Sequence, residues 1–201
     1  MGVREAKKEQ RREDIESAGL ALFISEGYDR ASVERIVAAA GIARGTFYLY
    51  FKDKQALFEH LAEKLYSPLV ALLEEHQRAL ADAGSTTHQQ ALYMRMATGM
   101  VEQIVALEPL ALLHFREAWS AGPAGETVRL WRSRIEGLAK DILIDATQRG
   151  FVRSHEPLIV AMAIVGAAER IAWAWISSDV ELDKSKVATE LSDLFWRGIH
   201  G

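Results

Sequence analysis

The sequence predicts an all-α protein of about nine helices, and three observations carry that prediction. Apolar residues recur at helical spacing along the whole chain, and no stretch alternates apolar and polar residues as a half-buried strand does. Glycine and proline residues punctuate the boundaries between the periodic segments. Two regions are expected, a helix-turn-helix domain over residues 1–55 and a larger helical domain over 56–201.

The first helix is marked by Ile15, Ala18, Gly19, Leu22 and Phe23, an i, i+3, i+4, i+7, i+8 stripe that the sequence EGYD at Glu26 to Asp29 stops. A short second helix follows over Val33 to Ala40, with Ile36, Val37 and Ala40 on its apolar side. Gly41 ends it, since a chain turning sharply after a helix needs a positive φ angle. The third covers Arg44 to Tyr50. Asp53, between Lys52 and Lys54, is then placed to cap a long fourth helix striped by Leu57, Leu61, Leu65, Leu69, Leu72 and Leu73. Pro68 is expected to kink or divide that helix. After the loop-like DAGSTT of Asp82 to Thr87, the periodicity gives helices over 88–106, 109–120, 124–149, 157–178 and 185–199. Pro109, the AGPAG of Ala121 to Gly125, Gly150 and Pro157 separate them. No repeat period emerges, which disfavours a solenoid.

Composition narrows the class of function. Apolar residues make up 49% and charged residues 26% of 201, as in ordinary folded proteins. With no cysteine, disulfides, thiolate metal sites and cysteine nucleophiles are excluded. The charged start, MGVREAKKEQRRED, has no apolar run of the secretory kind, so a cytoplasmic protein is expected. The longest apolar run, Pro157 to Ile176, is interrupted by Glu169 and Arg170 and reads as a buried helix; no membrane partner is expected. The six histidines are scattered, with no zinc-protease pair, nucleophile elbow or phosphate-cradling glycine loop. The chain therefore reads as no enzyme, with no metal and no cofactor. Net charge is −4, but the first 60 residues balance ten basic against ten acidic side chains, leaving the excess acidity to the remainder. Nucleic-acid binding needs only a local basic patch.

The chemistry is concentrated in Ala39 to Phe51, AAGIARGTFYLYF. Two short helices joined by a glycine-containing turn form a helix-turn-helix, whose second helix enters the DNA major groove. Ile36, Val37, Ile42, Phe47 and Phe51 would lock the pair together and leave Arg44, Thr46, Leu49 and Tyr50 outward. Arginine can pair with guanine, threonine and tyrosine can reach phosphate, and Gly45 lets the backbone come close to a duplex. Lys52 and Lys54 fall at the start of the next helix, where free amides and the helix dipole already favour an anion.

The run from Gly41 through Ile42, Ala43, Arg44, Gly45, Thr46, Phe47, Tyr48, Leu49, Tyr50, Phe51, Lys52 and Asp53 to Lys54, with Leu57 beyond, resembles the signature of TetR-family transcriptional regulators. That resemblance implies DNA contacts from Arg44, Thr46, Tyr48 and Tyr50, close approach at Gly45, a phosphate grip by Lys54, and Leu49 where some members place an aromatic on DNA. Three positions depart from the pattern. Ala43 stands in place of a capping hydroxyl residue, Val37 in place of alanine, and Ala31 in place of a capping threonine whose role Ser32 can take.

For the remainder, the resemblance implies dimerisation and the sensing of a small molecule. Leu158, Met162, Val165, Ala172 and Ile176 form one apolar stripe and Val187, Leu191, Leu194, Phe195 and Ile199 another. They are read as a two-helix contribution to a homodimer interface, with an intramolecular core as the alternative. Polar groups embedded among aromatic and methionine side chains are the candidates for a ligand pocket: Met100, Phe115, Trp119, Glu169 and Trp173. The whole reads as a ligand-responsive DNA-binding regulator: a dimeric repressor on a palindromic double-stranded operator, released by a small hydrophobic effector. The alternative is a ligand-insensitive architectural or division-control protein on the same scaffold.

Overall fold

The computed structural model describes residues 2–177 and 183–199, apart from the side chains of Val3, Lys184 and Ile199. Ile199, expected on the stripe of the last helix, thus lies outside the described side chains, as does residue 178 at the expected end of the helix before it. Nine helices and no strand occur among the described residues. They are α1 (Val3–Glu26), α2 (Val33–Ala39), α3 (Arg44–Tyr48), α4 (Lys54–Ala81), α5 (Thr86–Ala106), α6 (Glu108–Glu117), α7 (Pro123–Gln148), α8 (Pro157–Ile176) and α9 (Lys184–Ile199).

Local chemistry accounts for the boundaries. Ser32 caps α2 by accepting from the Arg35 N–H. At its other end Gly41 adopts φ +63°, and the Ile42 N–H reaches back to the Val37 carbonyl at 3.0 Å, a Schellman closure open mainly to glycine. Ala43 precedes α3 without a side-chain cap, and α3 closes at Tyr48, two residues before its expected end. Asp53 caps α4 by accepting from the Ala56 N–H at 2.8 Å. Of the two outcomes expected at Pro68, a kink or a division, division does not occur: α4 is one continuous helix through Ala81. Buried residues on both sides, Leu65 and Tyr66 before it and Leu69 and Val70 after it, hold the helix where the proline removes a backbone bond.

The chain makes two compact units. One unit comprises residues 1–65 with 109–129, the other 66–108 with 130–201. In the first, Ile15 and Phe23 of α1, Ile36 of α2, Phe47 of α3, and Leu57 and Phe58 of α4 are almost wholly buried. Phe23, Tyr28 and Phe58 meet pairwise with ring centroids 5.4–5.7 Å apart. A Cβ on Gly19 would come within 2.4 Å of Leu57 Cδ2, so a larger residue there would displace the Leu57 side chain where α1 meets α4. Buried Glu16 joins the same helices by bonding His60 Nε2 at 2.7 Å and Lys64 Nζ at 2.6 Å. The α6 segment belongs here because the buried Glu117 carboxylate accepts from the Tyr28 N–H at 2.9 Å, while Gln55 donates to Thr127 Oγ1 at 3.0 Å.

The second unit packs around two clusters. Ala139, Leu143 and Ala146 of α7 meet Val152 and Ala161, the last from α8. Leu73 and Leu80 of α4 meet Ile142 of α7, flanked by Tyr93, Met96 and Met100 of α5. Helix α9 lies against α5. Helix α8 is long and apolar enough to cross a membrane, and the expectation that it is buried needs correction: within its unit only Ala161 and Ala174 are buried. Apart from Glu169 and Arg170 its residues are apolar or small, and its own unit covers only part of the helix's circumference.

Candidate nucleic-acid interface

Helix α3 separates its residues by face. Phe47 is wholly buried, edge-on to Tyr48 and 6.0 Å from Phe51, whose ring carries Arg12 above it at 5.8 Å. On the opposite side Arg44, Gly45, Tyr48 and Leu49 are exposed, Leu49 by 81%. Thr46 and Tyr50 are half-buried at the edges of this surface, and Lys52 is exposed just beyond it. Nothing lies within 4 Å of a Cβ built on Gly45, so its missing side chain leaves open space at the surface. The chain thus brings seven predicted DNA-contact residues onto one face or its margin.

Lys54 lies elsewhere. Its ammonium donates to the carbonyls of Tyr28 at 2.8 Å, Ala31 at 2.9 Å and Asp29 at 3.2 Å, and sits 4.3 Å from the centre of the Tyr28 ring. All three ammonium donors are thereby engaged by the α1–α2 connection rather than turned to an external phosphate. Tyr28 itself is held protonated: burial, with help from nearby Asp53 and Asp29, pushes its hydroxyl up to about 12.

Sequence reasoning missed the partner of Arg44. Its guanidinium meets Glu34 at 2.9 Å and lies 3.4 Å from the Tyr48 hydroxyl. The bond to Tyr48, then the Glu34 charge, raise Arg44 further; its own backbone and Ser32, then Arg44, lower Glu34. Both side chains are exposed, so the pair is held weakly and exchanges readily with solvent. Only the helix register, ten residues from Glu34 to Arg44 across a tight turn, could have signalled it.

The predicted pocket residues are divided between the two units. Phe115, against His114 with ring centroids 4.7 Å apart, and Trp119, 87% exposed, belong to the first unit. In the second unit Glu169 pairs with Arg132 at 2.9 Å, and Trp173 stands on an exposed part of α8. Met100 alone lines a cavity of about 140 Å³ between α5, α8 and α9. Ala172, Leu191 and Phe195, expected at a dimer interface, line that same cavity and so face their own chain. Leu158 and Met162 are exposed on α8, whereas Val165 and Ile176 are half-buried. Apolar periodicity identifies both faces of α8 without saying which neighbour covers each. Among the described residues, no cluster of His, Asp or Glu could hold a metal ion.

Residues 15–61 match the family model for bacterial regulatory proteins of the tetR family. An uncharacterized HTH-type transcriptional regulator, YvdT, of Bacillus subtilis (strain 168) is 47% identical over 53 residues, 26% of this chain and 27% of that protein. The match therefore spans about a quarter of that relative. The fatty acid metabolism regulator protein of the same organism is 24% identical over 191 residues, 92% of this chain and 94% of the relative. Among solved structures, the transcriptional regulator FadR from Bacillus subtilis in complex with stearoyl-CoA superposes with a TM-score of 0.71 at 20% identity, covering 94% of this chain and all of that one. With residues 15–61 matched by the family model and its fold shared along nearly the whole length of a solved regulator, the chain carries a tetR-family helix-turn-helix domain within a TetR-type fold.

Proposed function

We propose that the protein is a cytoplasmic homodimer that represses transcription by binding a palindromic double-stranded operator and is released by a small hydrophobic effector. One observation carries the DNA half of this reading: α3 turns Arg44, Gly45, Tyr48 and Leu49 to solvent while Phe47 behind them is buried. Arg44 exchanges Glu34 for a base edge, Thr46 and Tyr48 lie along the groove wall, Tyr50 and Lys52 hold phosphate, and Gly45 admits the sugar-phosphate backbone. Lys54 positions this surface from behind by fixing the connection that leads into α2.

The apolar residues Leu158, Ile159 and Met162, exposed on α8, support a second copy of the chain as the partner that covers them. Two-fold symmetry then sets two recognition helices about 34 Å apart, one turn of duplex, and makes the operator a palindrome. The stearoyl-CoA held by the Bacillus subtilis regulator and the apolar cavity of the second unit support a hydrophobic effector. Such a molecule releases DNA only through unequal affinity for two conformers; moving a 1:99 population to 99:1 takes a preference of about 10⁴-fold.

The test is fluorescence anisotropy with labelled duplexes from the region upstream of the protein's own gene, at low salt. A specific, salt-dependent rise at a two-fold symmetric site, reversed by an apolar ligand, supports the proposal. No preference for any duplex over random DNA overturns the DNA half. Specific binding that resists every apolar ligand leaves a ligand-insensitive DNA-binding protein.

A further inference from the structure

The cavity between α5, α8 and α9 has a wall of narrow chemistry. Met96 and Met100 come from α5, Ile171 and Trp175 from α8, and Leu191 and Phe195 from α9; none of the residues lining it is charged. Its surface is almost wholly apolar, and Tyr93 and Ser192 are the residues with hydroxyl groups among those that line it. Both oxygens are shut off from solvent and neither has a hydrogen-bond partner. Ser192 is 4% exposed as a residue. More than nine in ten buried polar groups in folded proteins are paired, and an unpaired one costs about 1–3 kcal/mol, so two at one cavity need a reason.

The surroundings restrict what could supply the missing bonds. Burial, with Asp145 nearby, pushes the Tyr93 hydroxyl up to about 12, so it stays a neutral donor. Behind Tyr93, His76 is buried with its ring 4.6 Å away; burial pushes it down to about 4, the Leu92 backbone opposing in part, so it adds no charge at neutral pH. A carboxylate or ammonium entering here would be buried without a counter-charge. The volume of about 140 Å³ suits one ring, since an apolar cavity of about 150 Å³ takes a benzene ring.

We infer that this cavity binds a compact, uncharged molecule, an apolar body of about one ring bearing a single hydroxyl or carbonyl that Tyr93 and Ser192 read. The ligand's oxygen accepts from Tyr93, and Ser192 reaches it by a change of rotamer while the methionines adapt around the ring. This rests on the proposal that the second unit holds the effector site, and it names the effector's class: neutral and ring-sized rather than a long acyl chain or a fatty-acid anion.

Binding is measured by calorimetry on the purified full-length protein without DNA, using phenol, toluene and benzoate at pH 7. Phenol is expected to bind at least about tenfold more tightly than toluene, because toluene leaves both hydroxyls unpaired, and benzoate is expected not to bind. Tyr93→Phe should bring phenol to the affinity of toluene, with toluene unaffected; Ser192→Ala should do so in part. Equal binding of phenol and toluene, preferential binding of benzoate, or an ordered water on the two hydroxyls with no phenol binding would each overturn the inference. Adding phenol to the protein–DNA complex tests the function separately: phenol that binds without releasing DNA sustains the cavity assignment and removes its effector role. Release by other apolar ligands, with no phenol binding, leaves the repressor and removes this assignment.

Discussion

Replacing Lys54 by methionine separates two roles that look alike in sequence. The substitution keeps an unbranched apolar stem near Tyr28 but removes the ammonium, leaving the carbonyls of Tyr28, Asp29 and Ala31 without their donor. Hydrogen bonds to a charged group contribute about 1.5–3 kcal/mol each, and these carbonyls are only partly shielded, so water recovers much of the loss. A net destabilisation of about 2–4 kcal/mol follows, a fall in melting midpoint on the order of 10 °C. Urea unfolding gives the stability, and anisotropy titrations from low to moderate salt, carried out well below the melting midpoint, give the dependence of DNA affinity on salt. Each phosphate contact adds about 0.9 to that slope. Lys54→Met should therefore lower stability and leave the slope unchanged, whereas Lys52→Met should reduce the slope by nearly one and leave stability unchanged. A Lys54→Met protein of normal stability with a slope shallower by about 0.9 would refute the positioning role.

Three further outcomes follow from the same geometry. Glu34→Gln removes the charge that holds Arg44 away from DNA, and operator affinity by anisotropy should tighten roughly two- to fivefold. Gly45→Ala meets no neighbour in the free protein, so stability should hold or rise by up to about 1 kcal/mol, while DNA affinity drops as the new methyl obstructs the duplex. Burial lowers His76 from its ordinary 6.5 to about 4, so the unfolded state binds more protons between those values and stability declines as pH falls through that window, by at most about 3 kcal/mol. Unfolding of His76→Leu between pH 7 and 4 should show a smaller decline than the parent by up to that amount; equal declines would contradict the burial argument.

The reading head was legible in the sequence because its constraints are local. Gly41 and Ser32 bound α2, Asp53 opens α4, and the spacing of Phe47 and Phe51 against Tyr48 and Leu49 fixes which face is buried. The partners of the charged groups were not legible, because they depend on tertiary approach: Lys54 turns to carbonyls 23–26 residues earlier, and Glu169 meets Arg132, 37 residues away, rather than its neighbour Arg170. The same limit applies to the expected pocket. Phe115 and Trp119 have the right composition but lie in the first unit, while Tyr93 and Ser192, one aromatic and one small polar residue on apolar helix faces, gave no signal beyond periodicity.

The central claim, that the exposed face of α3 reads double-stranded DNA, is tested most directly by comparing the parent with Arg44→Ala and Tyr48→Ala in anisotropy titrations on the upstream duplex, with melting curves alongside. The account predicts a loss of about tenfold or more in specific affinity for each variant at unchanged melting temperature, since both side chains are exposed in the free protein. Parent-like affinity in both variants, or a loss matched by unfolding, would contradict it.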